Sequence, residues 1–175
     1  IIEGSFLFNF FIILCFLITN YEWYKMSRKK KYYIFGLIFL VLSFYSAYHI
    51  RANMNGSYEY FIIVLSICIS TDIGGYIFGK VFKGPKLTKI SPKKTYSGMI
   101  GGFLFSIIIS YSFLNSFLLD NSIEMSLEIL IFIISISAIS QSGDLIVSYF
   151  KRISNIKDTG KLIPGHGGIL DRIDG

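Results

Sequence analysis

Four carboxylates stand out in a sequence otherwise poor in charge. Asp72 and Asp144 each lie inside a long apolar run, and Asp171 and Asp174 close a basic tail. A charged side chain in the middle of a membrane-spanning helix costs about 2.5–3.5 kcal/mol or more, so such a residue faces a polar cavity or a partner. The neighbours share that polarity. Ser137, Ser140, Asp144, Ser148 and Lys151 recur at three- and four-residue spacing, which makes one polar stripe on a helix. Asp72, Tyr76 and Lys80 make a second. Both stripes run to the basic ends of their apolar runs and predict a wet cleft entered from that side. A protonated or ion-paired carboxylate that only packs helices together is the alternative for each.

Two further segments carry phosphate chemistry in their composition. Ser91, Pro92, Lys93, Lys94 and Thr95 form a polar turn just ahead of an apolar run. A Ser/Lys/Thr loop at a helix start is a plausible phosphate cradle, and a loop that merely anchors to the bilayer is the alternative. The tail brings Lys151, Arg152, Lys157, Lys161, a Gly-Pro-rich turn, His166, Asp171, Arg172 and Asp174 to the membrane surface. It holds no GxxxxGK[ST] loop and no GxGxxG after a strand, which excludes the soluble nucleotide-binding folds. Cys15 and Cys68 sit apart in apolar sequence and make neither a metal-ligand pattern nor a redox pair.

The elements that position these residues are membrane spans. Of the 175 residues, 53% are hydrophobic and 16% charged, against about a quarter charged in soluble domains. Five apolar runs are long enough to cross a bilayer as helices: residues 5–24, 32–50, 58–79, 97–119 and 127–150. Strands are excluded by the unpaired edges an open sheet would expose to lipid, and the runs lack the alternation of a barrel. The fold class is therefore all-α, a polytopic helical bundle. Basic and non-basic loops alternate along the chain. Sixteen of the 17 Lys and Arg residues fall on one side, Arg51 being the exception, and that side is cytoplasmic by the positive-inside rule. This accounts for the +6 net charge without a nucleic-acid partner.

Glycines recur four apart at Gly75 and Gly79 and at Gly98 and Gly102, a spacing that lets helix backbones approach closely. Packing within the subunit is the first expectation, and a homodimer interface is the alternative. No cleavable signal peptide is visible, since the positive charges follow the first run and do not precede it. The chain starts at Ile1 and stops at Gly175 just after a charged motif. A single integral-membrane domain over residues 1–175, incomplete at both ends, is expected.

The tail from Ser148 to Asp174 resembles the sequence pattern of the phosphatidate cytidylyltransferase (CDP-diacylglycerol synthase) family: Ser, Lys-Arg, Lys-Asp, Pro-x-His-Gly-Gly and Asp-Arg-x-Asp, each present in order. Ser142-Gly143-Asp144 resembles the entry to that pattern. Thr71-Asp72 through Gly79-Lys80 and Ile90 through Thr95 resemble two other recurrent segments, and Tyr21-Glu22-Trp23 a short motif near the first helices. The resemblance is strong over residues 71–110 and 137–175. The family usually has more helices between the Glu-Trp motif and the Thr-Asp segment, and a further span after the last Asp.

The resemblance implies transfer of a cytidylyl group from CTP to phosphatidic acid, giving CDP-diacylglycerol and pyrophosphate, with Mg²⁺ and room for a second cation. It implies a bacterial inner-membrane protein, bound to membrane lipid, whose active site faces the cytoplasm. By resemblance Asp144 and Asp171 are metal ligands, and Asp72 and Asp174 follow as candidates for ligation or for fixing a basic partner. The glycine-rich turn would fold back to bring Asp171 to Asp144. Lys157 and His166 complete the expected catalytic set. The nucleophile is a phosphate oxygen already ionised near neutral pH, so His166 is expected to be structural or to bond a phosphate. Ser91, Lys93, Lys94, Thr95, Lys151, Arg152, Lys161 and Arg172 are the expected contacts to CTP and phosphate. The alternatives are a CTP-dependent polyprenol kinase or archaeal-type lipid cytidylyltransferase, a transporter using Asp72 and Asp144 as an ion path, and an inactive membrane fragment.

Overall fold

The computed structural model describes residues 5–53, 58–88, 90–91, 94–117, 126–160, 162 and 167–174. Among the described residues there are five α-helices: α1 (Ser5–Ser27), α2 (Tyr33–Asn53), α3 (Glu59–Phe82), α4 (Tyr96–Phe117) and α5 (Leu127–Ile153). A short 3₁₀ turn, η1 (Leu170–Arg172), follows in the tail. All five helices are long and apolar enough to cross a membrane. Their large side chains stay exposed, Ile34 at 65% and Phe35 at 64% for example, which suits lipid and would not suit water. The protein is an all-α integral membrane protein.

The helices extend beyond the apolar runs at their basic ends. α1 continues past residue 24 to Ser27, α3 past 79 to Phe82 and α5 past 150 to Ile153. Backbone hydrogen bonding does not stop where hydropathy does. A Lys or Arg in the last turn also complements the helix dipole, as Lys25, Lys80 and Lys151 do here. The end of the fourth expected run, 118–119, lies outside the described residues.

The chain divides into two compact units. The first comprises Ile1–Phe61 and Phe150–Asp174, and the second is built from Ile62–Tyr149. In the first unit, α1 and α2 are joined by a five-residue turn and form a helical hairpin. Its closed end is organised by Trp23. The indole Nε1 donates to Tyr33 O at 3.0 Å, and the ring lies so close to Gly36 that a Cβ there would overlap it. Phe150 meets the Trp23 ring edge-on at 5.3 Å, and Tyr32 Oη pairs with Ser154 Oγ at 2.6 Å. These contacts bring the end of α5 and the tail onto the hairpin.

In the second unit, Ile63, Ile67 and Ile133 form the core, with Ile107, Leu114 and Ile136 packed around them. The expected close approach of glycine-bearing helices is present between α3 and α4. A Cβ on Gly98 would stand 2.7 Å from the Gly75 carbonyl oxygen, and one on Gly74 would stand 2.6 Å from the Gly101 oxygen. Thr71 Oγ1 pairs with Ser137 Oγ at 2.8 Å where α3 meets α5. Ser137 and Ser140 are buried, so the upper part of the α5 polar stripe is a packed helix seam and does not line water. The Thr71 hydroxyl there also bonds the preceding turn, at Ile67 O, which is the role such residues take between helices in lipid.

Candidate active site

The second unit holds Asp72, Asp144, Ser91, Lys94 and Thr95. Asp144 is ion-paired with Lys94, both side chains being partly exposed, and Ser148 Oγ lies 3.4 Å from Asp144 Oδ1. Asp72 is exposed on α3, and Lys80 Nζ lies 3.4 Å from Tyr76 Oη on the same helix. The loop before α4 is a tight turn. Leu87 N donates to Lys94 O at 2.8 Å and Tyr96 N to Pro85 O at 3.1 Å. Thr95 is the α4 N-cap: its Oγ1 accepts from Gly98 N at 3.1 Å. Ser91 N donates to Thr88 Oγ1 at 3.2 Å. The loop expected as a phosphate cradle is thus held by its own hydrogen bonds, with the Lys94 ammonium brought to Asp144. Lys93 lies outside the described residues.

The first unit holds the tail. α5 ends in a Schellman motif: Ile156 N donates to Lys151 O and Asn155 N to Arg152 O, each at 3.0 Å, with Asn155 at φ 58°. Asn tolerates this left-handed conformation better than other non-glycine residues. The turn frees the chain from the helix axis and sends it toward Thr159. Gly167, at φ 90°, makes the second reversal, which glycine adopts without steric cost.

Asp171 sits at the centre of this tail. Its Oδ2 accepts from Thr159 N at 2.8 Å, Gly168 N at 2.9 Å and Thr159 Oγ1 at 3.0 Å. Its Oδ1 meets Lys151 Nζ at 2.8 Å, and the same ammonium lies 3.6 Å from Asp174 Oδ2. Burial pushes the Asp171 carboxyl up. The Lys151 ammonium and the amides of Gly168 and Thr159 outweigh it and hold the group below its ordinary range. Asp171 and Asp174 therefore converge on the Lys151 ammonium.

Lys157, Arg152 and Arg172 are exposed around this cluster. Arg152 Nη1 donates to Ile156 O at 3.5 Å, a contact within the helix cap. Lys161 and His166 lie outside the described residues. Asp144 belongs to the second unit and Asp171 to the first. Among the described residues, no group of three or more His, Cys, Asp or Glu side chains is placed to hold a metal ion.

Sequence reasoning noted Glu22 only as part of the Tyr21-Glu22-Trp23 motif, without a role, and passed over Thr159. Glu22 is 2% exposed in α1, and its carboxylate meets the tail directly. Ile169 N donates to Oε1 at 3.0 Å, Leu170 N to Oε2 at 2.8 Å and Thr159 Oγ1 to Oε2 at 3.1 Å. The available signal was the same one that exposed Asp72 and Asp144, an acid inside an apolar run.

A family model described as the cytidylyltransferase family matches residues 5–175. A protein of Rickettsia prowazekii (strain Madrid E) named phosphatidate cytidylyltransferase is 43% identical over 177 residues, covering 96% of this chain and 75% of that protein. One of the same name from Rickettsia bellii (strain RML369-C) is 42% identical over 161 residues, covering 87% of this chain and 68% of that protein. A third of that name, from Staphylococcus haemolyticus (strain JCSC1435), is 41% identical over 124 residues, covering 70% of this chain and 46% of that protein.

Proposed function

Because the chain belongs to the cytidylyltransferase family, we propose that it transfers the cytidylyl group of CTP to phosphatidate, giving CDP-diacylglycerol and pyrophosphate. The likeness to proteins named phosphatidate cytidylyltransferase, over most of this chain, supports the reading most directly. The whole chain acts as one integral-membrane cytidylyltransferase domain, in a bacterial inner membrane, with its reacting groups on the cytoplasmic side where its Lys and Arg residues collect.

A phosphate oxygen of phosphatidate attacks the α-phosphorus of CTP, and pyrophosphate leaves. The attacking oxygen carries no proton that must be removed, so the task of the protein is to bring two polyanions together and align them. Lys94 and Lys151 suit this task because each ammonium is fixed by a carboxylate, Asp144 and Asp171 respectively. Lys157, Arg152 and Arg172 add charge at the surface of the tail. Lys93, Lys161 and His166 are assigned to phosphate contact on the sequence pattern alone, as are Ser91 and Thr95 in the α4 loop.

The residues fit Mg²⁺. Two backbone amides, of Thr159 and Gly168, donate to Asp171 Oδ2, which leaves Oδ1 to face a cation, and Oδ1 with Asp174 Oδ2 already holds the Lys151 ammonium. Oxygen ligands of this kind are those Mg²⁺ takes, with one or two carboxylates completed by substrate phosphates and water. On the sequence pattern alone we assign Asp144 and Asp171 as its carboxylates, with Asp174 and Asp72 next in order. When bound, the ion would neutralise phosphate charge and polarise the reacting phosphorus.

CTP labelled on either the α- or the γ-phosphate, offered with phosphatidate and with a polyprenol, tests the proposal. Cytidylyl transfer puts the α-label into a phosphatidate-derived lipid and releases the γ-label as pyrophosphate. Appearance of the γ-label in the polyprenol would mean a kinase and would overturn the proposal, as would no CTP turnover at all.

A further inference from the structure

We propose that Glu22 is a positioning residue for Asp171, acting from α1 through the Thr159 hydroxyl and the amides of Ile169 and Leu170. The proposal deepens the cytidylyltransferase reading of the tail and rests on it.

Each described hydrogen bond to Glu22 comes from the tail, and each donor is neutral. An ionised carboxylate accepts only, so two amides and a hydroxyl match it without competition. A buried carboxylate lacking such donors would be strongly destabilising, so Glu22 needs the tail in place against it. The backbone is shaped around it. A Cβ on Gly160 would stand 2.6 Å from Glu22 Oε1, and one on Gly168 would overlap both Glu22 Oε2 and Thr159 Oγ1. A side chain at either position would push the Glu22 carboxylate out of its present place.

Thr159 connects Glu22 to the cation-facing cluster. Its Oγ1 lies 3.1 Å from Glu22 Oε2 and 3.0 Å from Asp171 Oδ2, yet it has one proton to donate. Its backbone N–H is already committed to Asp171 Oδ2. Leu170, whose N–H is held by Glu22, is the residue just before Asp171 and the first of η1. Glu22 therefore sets both the backbone that carries Asp171 and the threonine that holds one of its oxygens. The other oxygen is left pointing at Lys151.

The test uses the full chain in membranes, with Glu22→Gln, Thr159→Val and Thr159→Ser. In Glu22→Gln an amide NH₂ replaces one accepting oxygen and meets a donor. We expect kcat to fall roughly 10- to 100-fold with the KM for CTP changed less than about threefold, because one charge-assisted bond is lost away from the nucleotide. Thr159→Val should lose about tenfold in kcat, and Thr159→Ser, which keeps the hydroxyl, should come within about threefold of the parent. Hydrogen exchange at the Ile169 and Leu170 amides should accelerate about tenfold in Glu22→Gln. Unchanged kcat in both Glu22→Gln and Thr159→Val would overturn the proposal, and so would a serine variant no better than valine. Should Glu22→Gln fail to fold, the threonine pair decides alone. Should the parent chain turn over no CTP with phosphatidate, the functional reading fails, and the exchange rates still decide whether Glu22 holds the tail.

Discussion

Lys151 and Asp171 form a largely buried ion pair, Nζ to Oδ1 at 2.8 Å, with side chains 12% and 7% exposed. It joins the last turn of α5 to η1 across the whole tail. Removing one partner of a buried pair leaves an uncompensated charge and costs on the order of 3–5 kcal/mol. Lys151→Met and Asp171→Asn should each lower the unfolding midpoint of the purified protein in detergent. The double variant should recover part of the loss, and a double-mutant cycle measures that coupling. Additive losses would mean that the pair does not bind the tail to α5.

The same carboxyl sets an acid limit. Its position below the ordinary range, held by Lys151 and two amides against burial, means that it gains protons in the folded state less readily than in the unfolded one. The stability it contributes is complete above its unfolded pKa of about 3.9 and is lost as pH falls through the lower folded value. Trp23, the single tryptophan, reports on this unit through its contact with Phe150. Its emission should stay constant from pH 8 to 5 and change only below about pH 4, and Asp171→Asn should displace that transition.

Two neighbouring glycines should respond in opposite ways. A Cβ at Gly98 would press 2.7 Å from a backbone oxygen of α3, whereas one at Gly75 would make an ordinary contact at 3.6 Å. Gly98→Ala is expected to destabilise by about 1–3 kcal/mol, since backbone cannot move aside cheaply. Gly75→Ala should be neutral or gain up to about 1 kcal/mol from helix propensity. Unfolding midpoints in mixed micelles distinguish the two.

At the α5 terminus, Asn155→Gly should be tolerated or slightly stabilising. Asn155→Val should cost roughly 1–2 kcal/mol, because a β-branched residue is strained at positive φ. Faster tryptic cleavage after Lys157 in the valine variant would show that the cap directs the tail.

The sequence displayed the spans and the glycine contacts because hydropathy and four-residue spacing are local properties of the chain. The charge of the tail was equally plain, and so was the need of Asp144, an acid inside an apolar run, for a polar cavity or a partner. What stayed hidden was pairing over long separations. Nothing local to Glu22 says that it will meet Leu170, 148 residues away. Thr95 was legible as a polar loop residue, but its capping bond to Gly98 depends on where α4 begins. Ser137 and Ser140 read as cavity-lining because a polar stripe looks the same whether it faces water or the hydroxyl of Thr71.

Mg²⁺-dependent formation of CDP-diacylglycerol from CTP and phosphatidate, measured for the parent chain and for Asp144→Asn and Asp171→Asn, tests the central claim most directly. The parent should form one pyrophosphate for each lipid product, and each variant should lose at least about 100-fold in rate at saturating Mg²⁺, because a charged metal-facing oxygen is replaced by a neutral amide. Full activity in either variant would remove the metal role assigned to that carboxylate, and a parent that forms no CDP-diacylglycerol would contradict the function itself.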